Sequence, residues 1–222
     1  MLSSVGSRFA ANVLIFNCSP RSNNNTMKLL KEVAHGVESV GKTAEIVQLS
    51  RLKFKPCQSC LECKRPSSPN RCVIKDDLQK YLDQLHEVDA FAIGSPIYMG
   101  NPSAYFYSFF ERAIYSNFMY TKTPSKFGRK IKTGLVFSMG ASKEMFEKTY
   151  WPNHKHIKDA MEMVFGPCAG VVTNCTQVLT PKANIDYEMP LFDMDLINNY
   201  VREHDPIELK NAFNLGVKLA SK

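Results

Sequence analysis

The chain has 222 residues, 44% apolar and 22% charged, the balance of an ordinary soluble globular protein. That balance excludes a disordered chain, a collagen-like chain and a disulfide miniprotein, and no stretch approaches the roughly 20 apolar residues needed to span a bilayer. The net charge is +7, but it is concentrated: six basic residues (Lys53, Lys55, Lys64, Arg65, Arg71 and Lys75) share one short stretch with a single acid, Glu62. The excess surrounds four cysteines, so its explanation is sought there rather than in a nucleic-acid groove.

Residues 1–11 form a short tail with three serines, Arg8 and no acid. The composition suits either a frayed end or a very short presequence for the matrix of a mitochondrion-related organelle, with processing near Phe9–Ala10; otherwise the protein is cytoplasmic. Residues 12–222 read as one domain. Asn12–Asn17 is an apolar strand ending in a polar turn cluster, and Thr26 then caps a helix with Met27, Leu30, Ala34 and Val37 on one face. Thr43–Leu49 is a second strand. An irregular insertion, 53–75, follows, and Asp76-Asp77 opens a helix to about Glu87 with Leu78, Tyr81, Leu82 and Leu85 turned inward. Asp89–Gly94 is a third strand, Ser95–Pro102 a loop, and Ser103–Tyr115 an aromatic-rich helix. Lys132–Ser138 is a fourth strand, and a helix occupies much of Ser142–Phe165. Ala169–Thr176 is a fifth strand, and helical segments from about Leu191 are interrupted near Pro206. Five short apolar strands separated by helices imply βαβ units and a parallel sheet.

Two loops carry ligand chemistry. After the first strand come Ser19, Arg21, Ser22, Asn23, Asn24, Asn25 and Thr26, where a helix N-terminus presents backbone N–H groups to an anion. The loop has no G-x-G-x-x-G and no G-K-[ST], which argues against a dinucleotide or P-loop site. Hydroxyls, amides and one guanidinium suit a terminal phosphate monoester; a plain polar turn is the bland alternative. After the third strand, Pro96, Ile97, Tyr98, Met99 and Gly100 offer an aromatic face and close backbone approach, as a flat heteroaromatic ring requires. Open parallel sheets bind ligands where such loops meet, outside the carboxyl ends of the strands.

The cysteines are spaced Cys57-x2-Cys60-x2-Cys63-x8-Cys72. Short C-x2-C steps let one loop wrap an iron–sulfur cubane, whereas structural zinc usually uses two separated pairs. Three cysteines in succession at x2 spacing favour a cluster over zinc or a metal-free loop. Cys18, Cys168 and Cys175 lie in apolar surroundings and are expected to remain free. The five histidines are scattered and read as surface or structural.

These segments resemble a family. Cys18-Ser-Pro-Arg-Ser-Asn-Asn-Asn-Thr is similar to the G-S-P-R-x-x-G-N-T phosphate loop of the NAD(P)H-dependent FMN reductases, and Ser95-Pro-Ile-Tyr-Met-Gly to their ring loop. Gly140 stands where a third flavin-flanking loop is expected. The likeness covers about Asn12 to Thr176. Cys18 and Asn24 replace glycines of the pattern; Asn tolerates a left-handed backbone, and Cys18 fits if its φ is negative. The cysteine insertion after the second strand resembles that of the iron–sulfur flavoprotein branch, with a longer last gap that makes Cys72 the least secure ligand.

The resemblance implies an α/β flavodoxin-like three-layer sandwich with a five-stranded parallel sheet in the order 2-1-3-4-5. It implies FMN held by Ser19, Arg21, Asn25, Thr26, Pro96, Ile97, Tyr98, Met99, Gly100 and Gly140. It further implies a [4Fe–4S] cluster on Cys57, Cys60, Cys63 and Cys72, and electrons passing from NAD(P)H or reduced ferredoxin to oxygen, quinone or nitro-type acceptors. No catalytic acid or base is required. A homodimer or dimer of dimers is expected, with the helix Ser103–Tyr115 offering apolar surface, and the basic insertion would attract an acidic ferredoxin. Nucleic-acid and membrane partners are not expected. The alternatives are a metal-free FMN or quinone reductase, a non-catalytic flavin electron carrier, and a zinc-stabilised interaction module.

Overall fold

The apolar runs become strands. In the computed structural model, which describes residues 11–68, 71–177, 187–189 and 193–221, β1 (Val13–Asn17) is buried at every position, as a strand covered on both faces must be. β2 (Ala44–Gln48) and β3 (Ala90–Tyr98) flank β1 in parallel. β4 (Lys132–Ser138) joins β3, and β5 (Cys168–Asn174) joins β4, also in parallel. In these labels the order is 2-1-3-4-5, the flavodoxin-like arrangement. A two-residue arm, Asn101–Pro102, adds an antiparallel pairing at the end of β3.

Alternation along β1 divides the interior into two cores. Val13 and Ile15 meet Leu29, Leu30 and Val33 of α1 (Asn25–Glu38) and Leu215 and Leu219 of α5 (Met194–Ala220). Leu14 and Phe16 face the other way. They join Leu82 of α2 (Gln79–Gln84), Phe106 and Phe109 of α3 (Ala104–Asn117), and Ile157 and Met161 of α4 (Trp151–Val164). This second core is aromatic: the rings of Phe16 and Phe109 lie 4.2 Å apart, and Phe91 meets Phe165 edge-on at 5.0 Å.

α1 and α5 touch backbone to backbone. A Cβ on Gly36 would lie 2.0 Å from the Phe213 carbonyl oxygen, and one on Gly216 would lie 2.0 Å from that of Val33. Only glycine on both helices permits this crossing.

Four expectations are corrected. Ser95–Tyr98 continue β3 rather than forming a loop, because Ser95 and Pro96 pair with Phe137 and Ser138 of the longer β4. Asn24 and not Thr26 stands at the N-cap position of α1, since Asn24 is the last extended residue, at φ −134°. α2 is shorter than expected because residues 76–78 form a turn before it. Pro206 lies inside the continuous α5. The proline removes one helical donor, but packing on α1 and the bonds that Asn174 Nδ2 donates to the Asp205 and Glu208 carboxylates hold the helix across it. The helix expected over Ser142–Phe165 does form: Ser142 caps it, and a π-helical turn, Phe146–Tyr150, leads into α4. Residues 1–10 and the start expected at Leu191 lie outside the described residues.

Candidate functional site

β1 feeds α1 on one face and β3 feeds α3 on the other, so the chain diverges between two neighbouring strands. A pocket of about 390 Å³ opens at their carboxyl ends. Its first wall is the loop after β1, bearing Ser19, Arg21, Asn24, Asn25 and Thr26. This loop is tied down from below. The Cys18 N–H donates to the Gly94 carbonyl at 2.8 Å, and Ser103 Oγ donates to the Cys18 carbonyl at 2.7 Å. The Ser19 N–H donates to Asn17 Oδ1 at 3.0 Å, and Gln48 Nε2 donates to the Ser19 carbonyl at 2.7 Å. Neither Cys18 nor Asn24 adopts a left-handed backbone, so the two missing glycines are not needed here. Burial pushes the Cys18 thiol well above its ordinary value.

Asn24 makes no side-chain capping bond. With its amide turned to suit both neighbours, it accepts from Arg21 Nη1 at 2.9 Å and Nε at 3.2 Å, which orients the guanidinium. The Thr26 and Ser138 hydroxyls share a hydrogen bond of 2.7 Å, joining the first wall to the third.

The second wall is Pro96, Ile97, Tyr98 and Met99. Met99 is 98% exposed and has φ +49°, followed by Gly100 at φ +81°. The structure leaves Gly100 out of the wall. Its left-handed turn sets its Cα against Tyr150, where a Cβ would come within 3.3 Å, and its carbonyl lies 2.6 Å from His154 Nε2. Gly100 therefore shapes the loop from behind.

The third wall is Ser138, Met139 and Gly140, with Gln177 beside them. The Met139 N–H donates to the Asn174 carbonyl at 2.9 Å, and the Gln177 N–H donates to the Met139 carbonyl at 2.8 Å. Gln177 Nε2 reaches Asp205 Oδ1 at 3.2 Å. The sequence reading placed Asn24 in the loop without assigning it to the ligand, and missed Ser138, Met139 and Gln177 as lining residues. Adjacency to Gly140 could have flagged Ser138 and Met139; nothing local marks Gln177.

The four clustered cysteines line a second, smaller cavity of about 20 Å³, together with Arg112, Tyr115 and Ser116 of α3. Cys63 is buried, Cys57 and Cys72 are half-buried, and Cys60 is exposed. Ser59 (φ +50°) and Leu61 (φ +62°) bend the backbone to either side of Cys60, an arrangement that non-glycine residues seldom adopt. Lys64 donates to the Tyr115 and Phe118 carbonyls and sits 4.0 Å over the Tyr115 ring. Burial pushes the Cys63 thiol up, and the Lys64 charge opposes that shift.

The neck of the segment is closed by hydrogen bonds. The Lys53 N–H donates to Asp77 Oδ2 at 2.8 Å, and the Lys55 N–H donates to Asp76 Oδ2 at 3.1 Å. Beside Gln58, Tyr115 and Ser116 the cavity offers four thiols and no carboxylate, a set that suits a thiolate-held metal centre. Among the described residues, no three such side chains yet meet in a ligating arrangement. Cys168 and Cys175 are set apart and unbridged, their thiols raised by burial, Cys175 to about 11. Among the described residues no helix is long and apolar enough to cross a membrane.

Fold and pocket together define a flavodoxin-like α/β protein with a ligand pocket at the strand ends. Residues 11–148, more than half of the chain, match the model of the NADPH-dependent FMN reductases, and the chain belongs to that family. Curated proteins that it resembles include iron–sulfur flavoproteins. It is 38% identical over 89 residues to an iron–sulfur flavoprotein of Archaeoglobus fulgidus, covering 40% of this chain and 42% of that one. It is 29% identical over 133 residues to one of Methanocaldococcus jannaschii, covering 59% and 63%. The chain thus spans about half the length of the curated relatives it matches. Among solved structures, an NAD(P)H:quinone oxidoreductase from Methanothermobacter marburgensis superposes with a TM-score of 0.62 at 17% identity, over 96% of this chain and 98% of that one. That likeness supports the fold alone.

Proposed function

We propose that the protein is an FMN-dependent oxidoreductase that takes electrons from NAD(P)H or reduced ferredoxin. It passes them through FMN and a [4Fe–4S] cluster to oxygen, a quinone or a nitro-type acceptor. The observation that carries this reading is the strand-end pocket, where a polar loop at a helix N-terminus faces a wall bearing Tyr98 and Met99.

Arg21, oriented by Asn24, supplies the charge for a phosphate monoester, and Ser19, Asn25 and the first turn of α1 supply neutral donors. Thr26 acts through Ser138, bracing the phosphate wall against the third wall. Tyr98, Met99, Met139 and Gly140 edge the ring. Bound FMN supplies the exchange between two-electron and one-electron transfer. Cys57, Cys60, Cys63 and Cys72 would hold the cluster, and the basic residues around them offset its negative charge and favour an acidic ferredoxin.

The exposure of Tyr98 (40%) and Met99 (98%) at the pocket mouth favours a second copy covering the ring, hence a homodimer or dimer of dimers. For location, a reducing compartment is proposed, cytoplasmic or organellar. The small cysteine cavity favours one second reading, a metal-free FMN or quinone reductase in which the thiols remain unliganded.

The test is anaerobic mixing of the flavin-loaded protein with NADPH, then with a quinone. Bleaching of the flavin band by NADPH and its recovery with quinone is the expected result. A flavin that neither NADPH nor reduced ferredoxin bleaches would leave only the non-catalytic carrier.

A further inference from the structure

Arg112 is the largest fully buried side chain of the molecule's described residues, and its guanidinium is 0% exposed. It projects from α3 into the neck of the cysteine segment. Nη1 donates to the Lys55 carbonyl at 3.1 Å and to Asp76 Oδ2 at 2.6 Å, and Nη2 donates to the Ile74 carbonyl at 3.0 Å. Asp76 Oδ2 also accepts the Lys55 N–H. One buried ion pair therefore ties the entry of the segment to its exit.

Closing the neck uses only the η nitrogens. Nε is buried and has no hydrogen-bond partner, although Arg112 shares a cavity with Cys57, Cys60, Cys63 and Cys72. A buried N–H of a permanent cation is seldom left unmade. Sulfur carrying negative charge is the acceptor that the gathered cysteines would provide once they act as ligands.

We propose that Arg112 is a positioning residue for the metal centre: its Nε–H donates to a ligand sulfur of the assembled cluster while its η nitrogens hold the neck shut. The inference rests on the cluster reading above. A donor to a ligand sulfur stabilises the more electron-rich, reduced cluster and raises its reduction potential. Arg112→Lys keeps a cation beside Asp76 but loses the N–H and the fork. Asp76→Asn keeps an oxygen acceptor at the neck but removes the countercharge.

The test uses the full chain, reconstituted anaerobically with iron and sulfide and grown with arginine labelled with ¹⁵N at the ε position. Pulsed electron paramagnetic resonance of the reduced centre is expected to show a ¹⁵N coupling that Arg112→Lys abolishes. The variant's potential is expected to fall while that of Asp76→Asn rises. A purely structural neck would lower iron content in both variants and leave the potential of the remaining clusters unmoved, which overturns the proposal. So does a full cluster with no ¹⁵N coupling in the wild type, a measurement that decides the matter alone if Arg112→Lys fails to fold. A wild type that takes up no iron overturns the cluster reading itself, and this inference with it.

Discussion

The strand-end pocket and the cysteine cavity are built in opposite ways. Every wall of the pocket continues from a strand terminus, and backbone bonds lock adjacent walls: Cys18 to Gly94, Met139 to Asn174, Gln177 to Met139. The cysteine segment has one short 3-10 turn, Glu62–Lys64, within its described residues, and is clamped mainly at its neck by Asp76, Asp77 and Arg112. The pocket is shaped by the sheet before any ligand arrives. The cavity gathers its thiols without closing them, so its final shape depends on what it binds. A site on rigid element ends is preorganised; a site on a clamped loop is completed by its ligand.

The largest expected effect separates the clamp from the frame. Arg112→Leu leaves the Asp76 carboxylate, 12% exposed, buried without its partner, a change that costs about 3–5 kcal/mol. Denaturant unfolding should record that loss, and the surviving folded protein should still bind FMN. Loss of FMN affinity in step with stability would mean that the two regions are not independent.

Gly216→Ala acts on the frame instead. Its new Cβ meets the Val33 carbonyl, and overpacking of this kind costs about 3 kcal/mol. Thermal unfolding should show it, with both sites weakened together. A variant of wild-type stability would refute the close crossing of α1 and α5.

Arg21→Ala addresses the pocket alone. Losing a charge-assisted bond of about 1.5–3 kcal/mol weakens FMN roughly ten- to hundredfold. Flavin fluorescence titration measures this, and iron content should not change. Unaltered affinity would place the phosphate elsewhere.

The smallest effect concerns the support behind the third wall. Burial pushes the Glu208 carboxyl up, against the bonds it accepts from Asn174 and the Cys175 N–H. Its folded pKa then lies above its unfolded one, so the native state binds more protons in the interval between them. Stability should rise as the pH falls through that interval and be lost again as the pH rises. Glu208→Gln should flatten this slope in unfolding curves taken across the interval. A wild type that loses more stability than Glu208→Gln on acidification there would contradict the burial argument.

The sequence made the frame legible where one local signal sufficed. Val13–Phe16 and Ala90–Ile93 are apolar without interruption, and in a chain with intervening helices that pattern means buried parallel strands. The two loops that meet at the pocket were legible because turn residues cluster after those strands. What stayed hidden depends on partners distant in sequence. Ser95-Pro96 reads as a loop by itself and becomes strand because β4 is long enough to pair with it. Pro206 reads as a break and is overridden by packing on α1. Gln177 enters the pocket because the chain after β5 hydrogen-bonds back to Met139. Arg112 reads as one polar residue on an aromatic helix, and only the fold shows that its acceptors lie 36–57 residues upstream.

The central claim is that these two regions are separate sites for two redox groups. It is tested most directly by measuring flavin, iron and acid-labile sulfide per chain in anaerobically reconstituted protein, wild type beside Cys60→Ser. The predicted result is one FMN and the iron and sulfide of one cubane in the wild type, with the cluster lost and the flavin kept in Cys60→Ser. A wild type with flavin but no stoichiometric iron, or a Cys60→Ser protein that loses both groups, would contradict it.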